Sequence, residues 1–597
     1  MTDKSYPIQR VSTICLLNLS LYTQYLSSNQ DIEYFANTCV KAAEVVDQHT
    51  RQYHTELVAQ LLASTQFKIK QQPQQSKLLA KRQTQKKADK DDNDNDESAN
   101  APAVGLMSTD EMLKILSPVF TKGQRKIKLI VLEVYARLFL IMGSSWVEHN
   151  YQLIVNHLIC NLMESNFNRN SDLLTIRSSL ILIFRDTIGK TLLSEQGQVI
   201  AMNVLLDGVL SKTSVSSPTQ FGYSDNSLVV AIEETVGLLD QLGSVPIQSQ
   251  DKLPDVMFKL IAHPAFSVQV ATSRLFRQFH YLCPTFLEPS LSKILDLLEK
   301  KLSHLRTPNA ASNVAFNSIG YACAVSSLIG LFKQRPLNTP IEIPHKVFEL
   351  SQSLLKLSGE CEFDQASIHI QVAWILIDSL MSIGPQFTSS ILNQLLLLWR
   401  NSLSKVDLQA SSPKTQIEWT FLSHIRECAL SALLAFLKFN ASELLTMDLS
   451  RKFTNMLINS LTFSVAFNSA HMDLLNDQIP SGACAHPNIG LLDRDILIRR
   501  RIFQCAVYLD IGTQTDSLTS LVEAAFNEFG DSNRYAGSAA QATIASNTGS
   551  FASIWNVGDG YGYGLTSLHE VANLERNDGI SEMLLKEVRL DIIGTLP

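Results

Sequence analysis

The residue combinations in this sequence that could bind phosphate, hold a metal or attack a substrate each fall short on spacing or context. Gly189-Lys190-Thr191 matches the end of a phosphate-binding loop, but that motif needs a glycine where Phe184 stands and a strand leading into it. Here a helical pattern leads into it. Gly558, Gly560, Gly562 and Gly564 alternate with Asp559, Tyr561 and Tyr563, which is not the GxGxxG spacing of a dinucleotide site; they read as a loop. His157 and Cys160 share a helical face, and Cys484 and His486 lie close together in a loop. Either pair offers two zinc ligands where three or four are required, and no CxxC or HExxH accompanies them. No Gly-x-Ser-x-Gly elbow is present. The expectation is a chain that is not an enzyme and has no catalytic residue, cofactor or metal.

The elements that carry these residues read as helices in alternation with turns. Ser108 and Glu111 have capping-box spacing. Ile127, Ile130, Val131, Val134 and Leu138 then line one helical face, which Gly143 ends. A helix through Ile154, Leu158 and Leu162 is followed by one bearing Leu173, Ile176, Leu180, Ile183 and Phe184. The clearest unit is LPDVMFKLIAHPAFSVQVATSRLFRQFHYLCP: a short helix ends near His263-Pro264, and a second presents Val268, Ala271, Leu275, Phe279 and Leu282. Asp364 is expected to cap a helix bearing Ile368, Val372, Ile375, Leu376 and Ile383, ended by Gly384-Pro385. Trp374 and Trp399 are expected to fill layers between repeats.

Second helices of such pairs recur near 126, 173, 228, 268, 312, 365 and 418, roughly the 40–50 residue period of helical-hairpin repeats, and strand signals are nearly absent. The expected fold class is all-α, a HEAT/armadillo-type α-solenoid of stacked helical hairpins, because a single pair cannot bury both faces of its helices. The layout expected is N-terminal helices that begin the solenoid at 1–67, a disordered charged linker at 68–107, the solenoid at 108–530, a flexible Ser/Ala/Gly-rich loop at 531–566 and a helical segment at 567–597. The linker is rich in Lys, Gln, Asp and Asn and too poor in apolar residues to offset the entropy of ordering it.

Composition narrows the function classes. The 597 residues carry a formal net charge of −7, and basic residues do not concentrate on any helical segment, so nucleic acid is not an expected partner. The cysteines, 9 in all, are scattered and mostly embedded in apolar helical patterns, which suits a reducing compartment. The N-terminal segment reads as an amphipathic helix rather than a leader, and no run of about 20 consecutive apolar residues occurs.

One stretch is more specific than generic repeat patterning. Gly320-Tyr321, Pro336-Leu337, Pro344-His345, Val347-Phe348, Gln371, Ala373-Trp374, Gly384-Pro385 and the run LLLLWRN ending at Asn401 resemble, in order and spacing, the HEAT-repeat-containing protein five family. Further matches run outward: Thr109-Asp110-Glu111, Gly143, Trp146, Glu148 and Arg177 upstream, then Trp419, Arg426, Ala429-Leu430 and Glu443-Leu444-Leu445-Thr446. The resemblance covers about 109–530. It implies an accessory scaffold of the Golgi and endosomal clathrin adaptor, serving endosome-to-Golgi retrograde transport, endocytosis and protein localisation. Its expected partners are clathrin adaptor subunits or co-adaptors, and its expected location is the cytosol, peripheral at the trans-Golgi network, endosomes and endocytic vesicles. Members of the family are far longer, so the sequence is expected to be a stretch of a longer solenoid.

For partner binding the candidates are Phe551 and Trp555, apolar side chains in the Ser/Ala/Gly-rich tract. The alternatives are a nuclear-transport receptor, which would present a dense acidic face that is not evident here, and a phosphatase-type assembly scaffold.

Overall fold

In the computed structural model, which describes residues 5–22, 29–66, 107–164, 170–212, 223–305, 312–334, 342–405, 416–470, 491–509 and 519–524, the regular elements are helices. Their internal contacts divide them into two units, one built on Met1–Ser165 with Asp186–Ser194 and the other on Asn166–Arg185 with Glu195–Asn547.

In the first unit α1 (Tyr6–Tyr22), α2 (Asn29–Val45) and α3 (Gln48–Ser64) precede the short helices α4 (Thr109–Lys114) and α5 (Ser117–Lys122), then α6 (Arg125–Met142) and α7 (Ser144–Val155). Helix α3 packs against α1, α2 and α6. The α4 start is the capping box read from the sequence: Glu111 N–H donates to Ser108 Oγ at 3.3 Å and Ser108 N–H to Glu111 Oε2 at 3.0 Å. Gln66 Nε2 donates to the Met107 carbonyl at 3.1 Å, so the chain leaves α3 and re-enters α4 at neighbouring points. Apart from the buried Met107, the expected linker lies outside the described residues. Gly143 ends α6 at φ 78°, a conformation that strains any residue with a Cβ. The axis of α7 continues as a wider π-helical turn over Asn156–Leu162, which the sequence pattern, uniform through Leu162, does not reveal.

The second unit holds α8 (Asn170–Leu182), α9 (Glu195–Gly208), α10 (Asp225–Leu242), α11 (Lys252–Leu260), α12 (Phe266–Leu282), α13 (Leu287–Leu305), α14 (Ser312–Ile329), α15 (Ile343–Leu357), α16 (Phe363–Met381), α17 (Pro385–Ser402), α18 (Gln416–Leu444), α19 (Met447–Ala470) and α20 (Leu491–Ala506). Their pairing is one-dimensional. Each even-numbered helix from α10 to α20 contacts the odd-numbered helix before it, and α10, α12, α14, α16, α18 and α20 contact one another in that order. This is the neighbour-to-neighbour stacking of an α-solenoid, and α6, α8, α10, α12, α14, α16 and α18 begin within three residues of the positions read from sequence.

The two layers differ in the way this packing demands. The odd-numbered helices are amphipathic: α13 buries Leu287, Leu291, Ile294, Leu295, Leu298, Leu302 and Leu305, a single stripe. From α10 to α18 the even-numbered helices are flanked by two neighbours of their own layer as well as their partner. Hence α16 is buried continuously from Ala366 to Met381, and α10 from Asn226 to Leu239. Hydroxyls caught in this layer bond backward along their own helices, as Thr272 Oγ1 does to the Val268 carbonyl at 2.7 Å and Ser367 Oγ to the Phe363 carbonyl at 2.7 Å. The same burial explains why Ile417–Leu444 is long and apolar enough to cross a membrane by length and composition; it lies within the central layer, and its window is 83% buried.

Trp374 and Trp399 occupy the interior, stacked at 6.5 Å between centroids, and Trp399 also meets Phe436 at 5.6 Å and Phe453 at 5.8 Å. Gly384, at φ 121°, and Pro385 separate α16 from α17. Asp364 does not cap α16. The helix begins one residue earlier, at Phe363, with Glu362 in the cap position and no side-chain cap bond. Asp364 lies in the first turn, where its charge favours the helix dipole without closing a hydrogen bond.

Candidate functional site

The residues singled out for chemistry are dispersed. Gly189, Lys190 and Thr191 lie in the π-helical turn Ile183–Leu192, where Lys190 Nζ pairs with Asp186 at 2.7 Å and Thr191 Oγ1 donates to the Asp186 carbonyl at 2.8 Å. No strand precedes them, and Phe184 is buried. His157 is committed to Tyr135: the tyrosine hydroxyl donates to the Leu113 carbonyl at 2.6 Å, so at 2.9 Å it accepts from His157 Nε2–H. Burial pushes His157 down to about 4 and raises the Tyr135 hydroxyl well above its ordinary value. A neutral histidine in this tautomer is a core group. Cys484, His486, Gly558 to Gly564, Phe551 and Trp555 lie outside the described residues.

What the fold does assemble is a set of polar links between successive central helices. Glu233 on α10 sits between two arginines, Arg274 of α12 at 2.7 Å and Arg185 at 3.2 Å. In the first unit Glu133 on α6 is held comparably, 3.9 Å from Arg51 and 3.4 Å from Arg137, which also reaches Glu56 at 2.6 Å. Gln269 Nε2 on α12 donates to the Phe316 carbonyl of α14 at 2.9 Å, Asn440 Nδ2 on α18 to the Met381 carbonyl of α16 at 3.0 Å, and Arg501 Nε on α20 to Ser431 Oγ of α18 at 3.1 Å. The links between helices fix their register, because a slipped helix leaves a buried polar group unmatched.

The surface of α1 is inverted. It buries Gln9, Thr13 and Ser20 while exposing Ile8, Val11, Cys15 and Leu19, which recur at helical spacing. The only charged residue of this helix, Arg10, is drawn aside to Asp47 at 2.9 Å. An uncharged apolar stripe of this kind is suited to a protein contact.

Among the described residues, the group with metal-ligand geometry is neither pair flagged in the sequence. It is His424, Glu427 and Cys428 on α18, all buried. The i, i+3, i+4 spacing was the available signal, and it carries no CxxC or HExxH signature.

No protein-family model matches the sequence. Among solved structures, importin beta is similar over 99% of this chain and 71% of its own, with a TM-score of 0.35 and 12% identity. A complex of Kap95 with Nup1 is similar over 100% of this chain and 73% of the solved chain, with a TM-score of 0.33 and 12% identity. Likeness of this degree carries no functional argument.

Proposed function

We propose that this chain is a protein-binding, non-enzymatic HEAT-type scaffold acting with a clathrin adaptor complex in traffic between endosomes and the trans-Golgi network. The observation that carries the reading is the placement of the residues by which the sequence resembles the HEAT-repeat-containing protein five family. Pro344 opens α15, Trp374 and Trp399 stack between α16 and α17, and Gly384-Pro385 makes the turn between them. At Gly320 a Cβ would collide with the Ile261 carbonyl oxygen. Residues dictated by packing in one particular order support kinship in architecture, and the trafficking role follows by analogy with that family. The apolar stripe on α1 supports a protein partner.

Proximity labelling from the chain in its native cell tests this. The expected result is enrichment of clathrin adaptor subunits and endosomal coat components. Enrichment of nuclear-pore and import factors instead would favour the nuclear-transport reading, and enrichment of a phosphatase catalytic subunit the third.

A further inference from the structure

The buried group on α18 has a ligand chemistry that a scaffold of stacked helices does not require. His424, Glu427 and Cys428 project from adjacent positions of one helical face, and their ligand atoms all lie within 4.8 Å of one another. Cys428 Sγ is 3.6 Å from Glu427 Oε2, 3.9 Å from His424 Nδ1 and 4.0 Å from His424 Nε2. In a tetrahedral zinc site, with Zn–S about 2.3 Å and Zn–N about 2.0 Å, neighbouring ligand atoms stand roughly 3.5 Å apart. The distances from Cys428 Sγ are therefore within about half an ångström of that spacing.

A second feature points the same way. His424 Nε2 lies 3.1 Å from the Ser367 carbonyl of α16, so Nε2–H donates to it. That bond fixes the tautomer in which Nδ1 is unprotonated and able to act as a ligand, and a backbone carbonyl on the other ring nitrogen is the usual outer support of a metal-bound histidine. Arg426, between the proposed ligands in sequence, donates to the Ser404 carbonyl at 2.8 Å and lies over the Phe463 ring.

We infer that His424 Nδ1, the Glu427 carboxylate and Cys428 Sγ form a three-ligand site for a thiophilic divalent cation of the zinc class, with water as the fourth ligand. Binding replaces the thiol proton by the metal and releases that proton to solvent; no electron is transferred. The negative charges of the carboxylate and of the thiolate so formed are balanced by the two positive charges of the ion. The site would tie α18 to α16 through the Ser367 carbonyl.

The test is a titration of the chelator-treated full chain with Co²⁺, followed by displacement with Zn²⁺ and elemental analysis. The expected result is one equivalent bound with a thiolate-to-cobalt absorption band, bleached by zinc and accompanied by release of about one proton per ion near neutral pH. Cys428→Ser abolishes the band and weakens binding by about 100-fold or more, and Glu427→Gln weakens it by about 10-fold while keeping the band. Cys361→Ser, at a second thiol that lies 3.8 Å from a histidine, His369, leaves both unchanged. Should Cys428→Ser not fold, the band in the wild-type chain and the weaker binding of Glu427→Gln still decide the question. No thiolate band, or binding equal in wild type, Cys428→Ser and Glu427→Gln, overturns the site and leaves an adventitious ion only.

Discussion

Replacing Trp399 probes the stacked layers most sharply, because this side chain joins four helices. It belongs to α17, stacks on Trp374 of α16, meets Phe436 of α18 and Phe453 of α19 edge-on, and donates its indole N–H to the Ala429 carbonyl at 3.2 Å. It is fully buried. Truncating a buried tryptophan to alanine costs about 3–5 kcal/mol, and aromatic contacts add about 0.5–1.5 kcal/mol beyond area. Trp399→Ala therefore belongs at the upper end, about 5 kcal/mol, or between three and four powers of ten in the local folding equilibrium at about 1.4 kcal/mol per decade. Trp399→Phe keeps most of the ring contacts and loses one hydrogen bond of about 1 kcal/mol, so it costs about 1–2 kcal/mol. Urea unfolding followed by hydrogen exchange resolves both the size and the place of the loss. In a nearest-neighbour stack, protection should fall in α16 to α19 and persist in α10 and α12. A Trp399→Ala penalty below about 1 kcal/mol, or protection lost evenly from α10 to α20, would refute the reasoning.

Other substitutions address other links. Gly320→Ala places a methyl against the Ile261 carbonyl and Gln269 and should cost about 3 kcal/mol, whereas Gly143→Ala, in open space at φ 78°, should cost only about 1–2 kcal/mol of backbone strain; thermal melts compare them. Glu233→Gln removes the carboxylate between Arg185 and Arg274 and should destabilise by about 3 kcal/mol in denaturant titration, a loss that Arg274→Met in the same background only partly adds to. Burial holds His157 and His280 at about 4, below their ordinary 6.5. The unfolded chain then binds more protons between these values. Their contribution is complete above about pH 6.5 and lost as pH falls toward 4, on the order of 3 kcal/mol for each histidine. His157→Gln should flatten that slope of the urea midpoint between pH 7 and pH 5, and an unchanged slope would contradict the assignment.

Much of the architecture was legible because a central-layer helix leaves a strong mark. The patterns starting near 126, 228, 312 and 418 carry apolar residues at helical spacing over several turns, and α6, α10, α14 and α18 begin at Arg125, Asp225, Ser312 and Gln416. The breaks at Gly143 and Gly384-Pro385 were equally plain, because positive φ selects glycine. Asp364 misled because an acidic residue in a first turn and one at a cap look alike without the backbone. The links Glu233–Arg274 and Arg51–Glu133 join residues far apart in sequence, whose register depends on helix packing that no local pattern encodes. The His424, Glu427 and Cys428 group was hidden differently: its spacing is ordinary for one face of a core helix, and only burial and the Ser367 contact set it apart.

The adaptor-scaffold reading is tested most directly by mixing the purified chain with purified clathrin adaptor complex and measuring binding by surface immobilisation. Saturable binding is predicted, weakened at least 10-fold when Ile8, Val11 and Leu19 on α1 are changed together to Ser. No binding to the adaptor, alongside saturable binding of a basic import cargo, would contradict it.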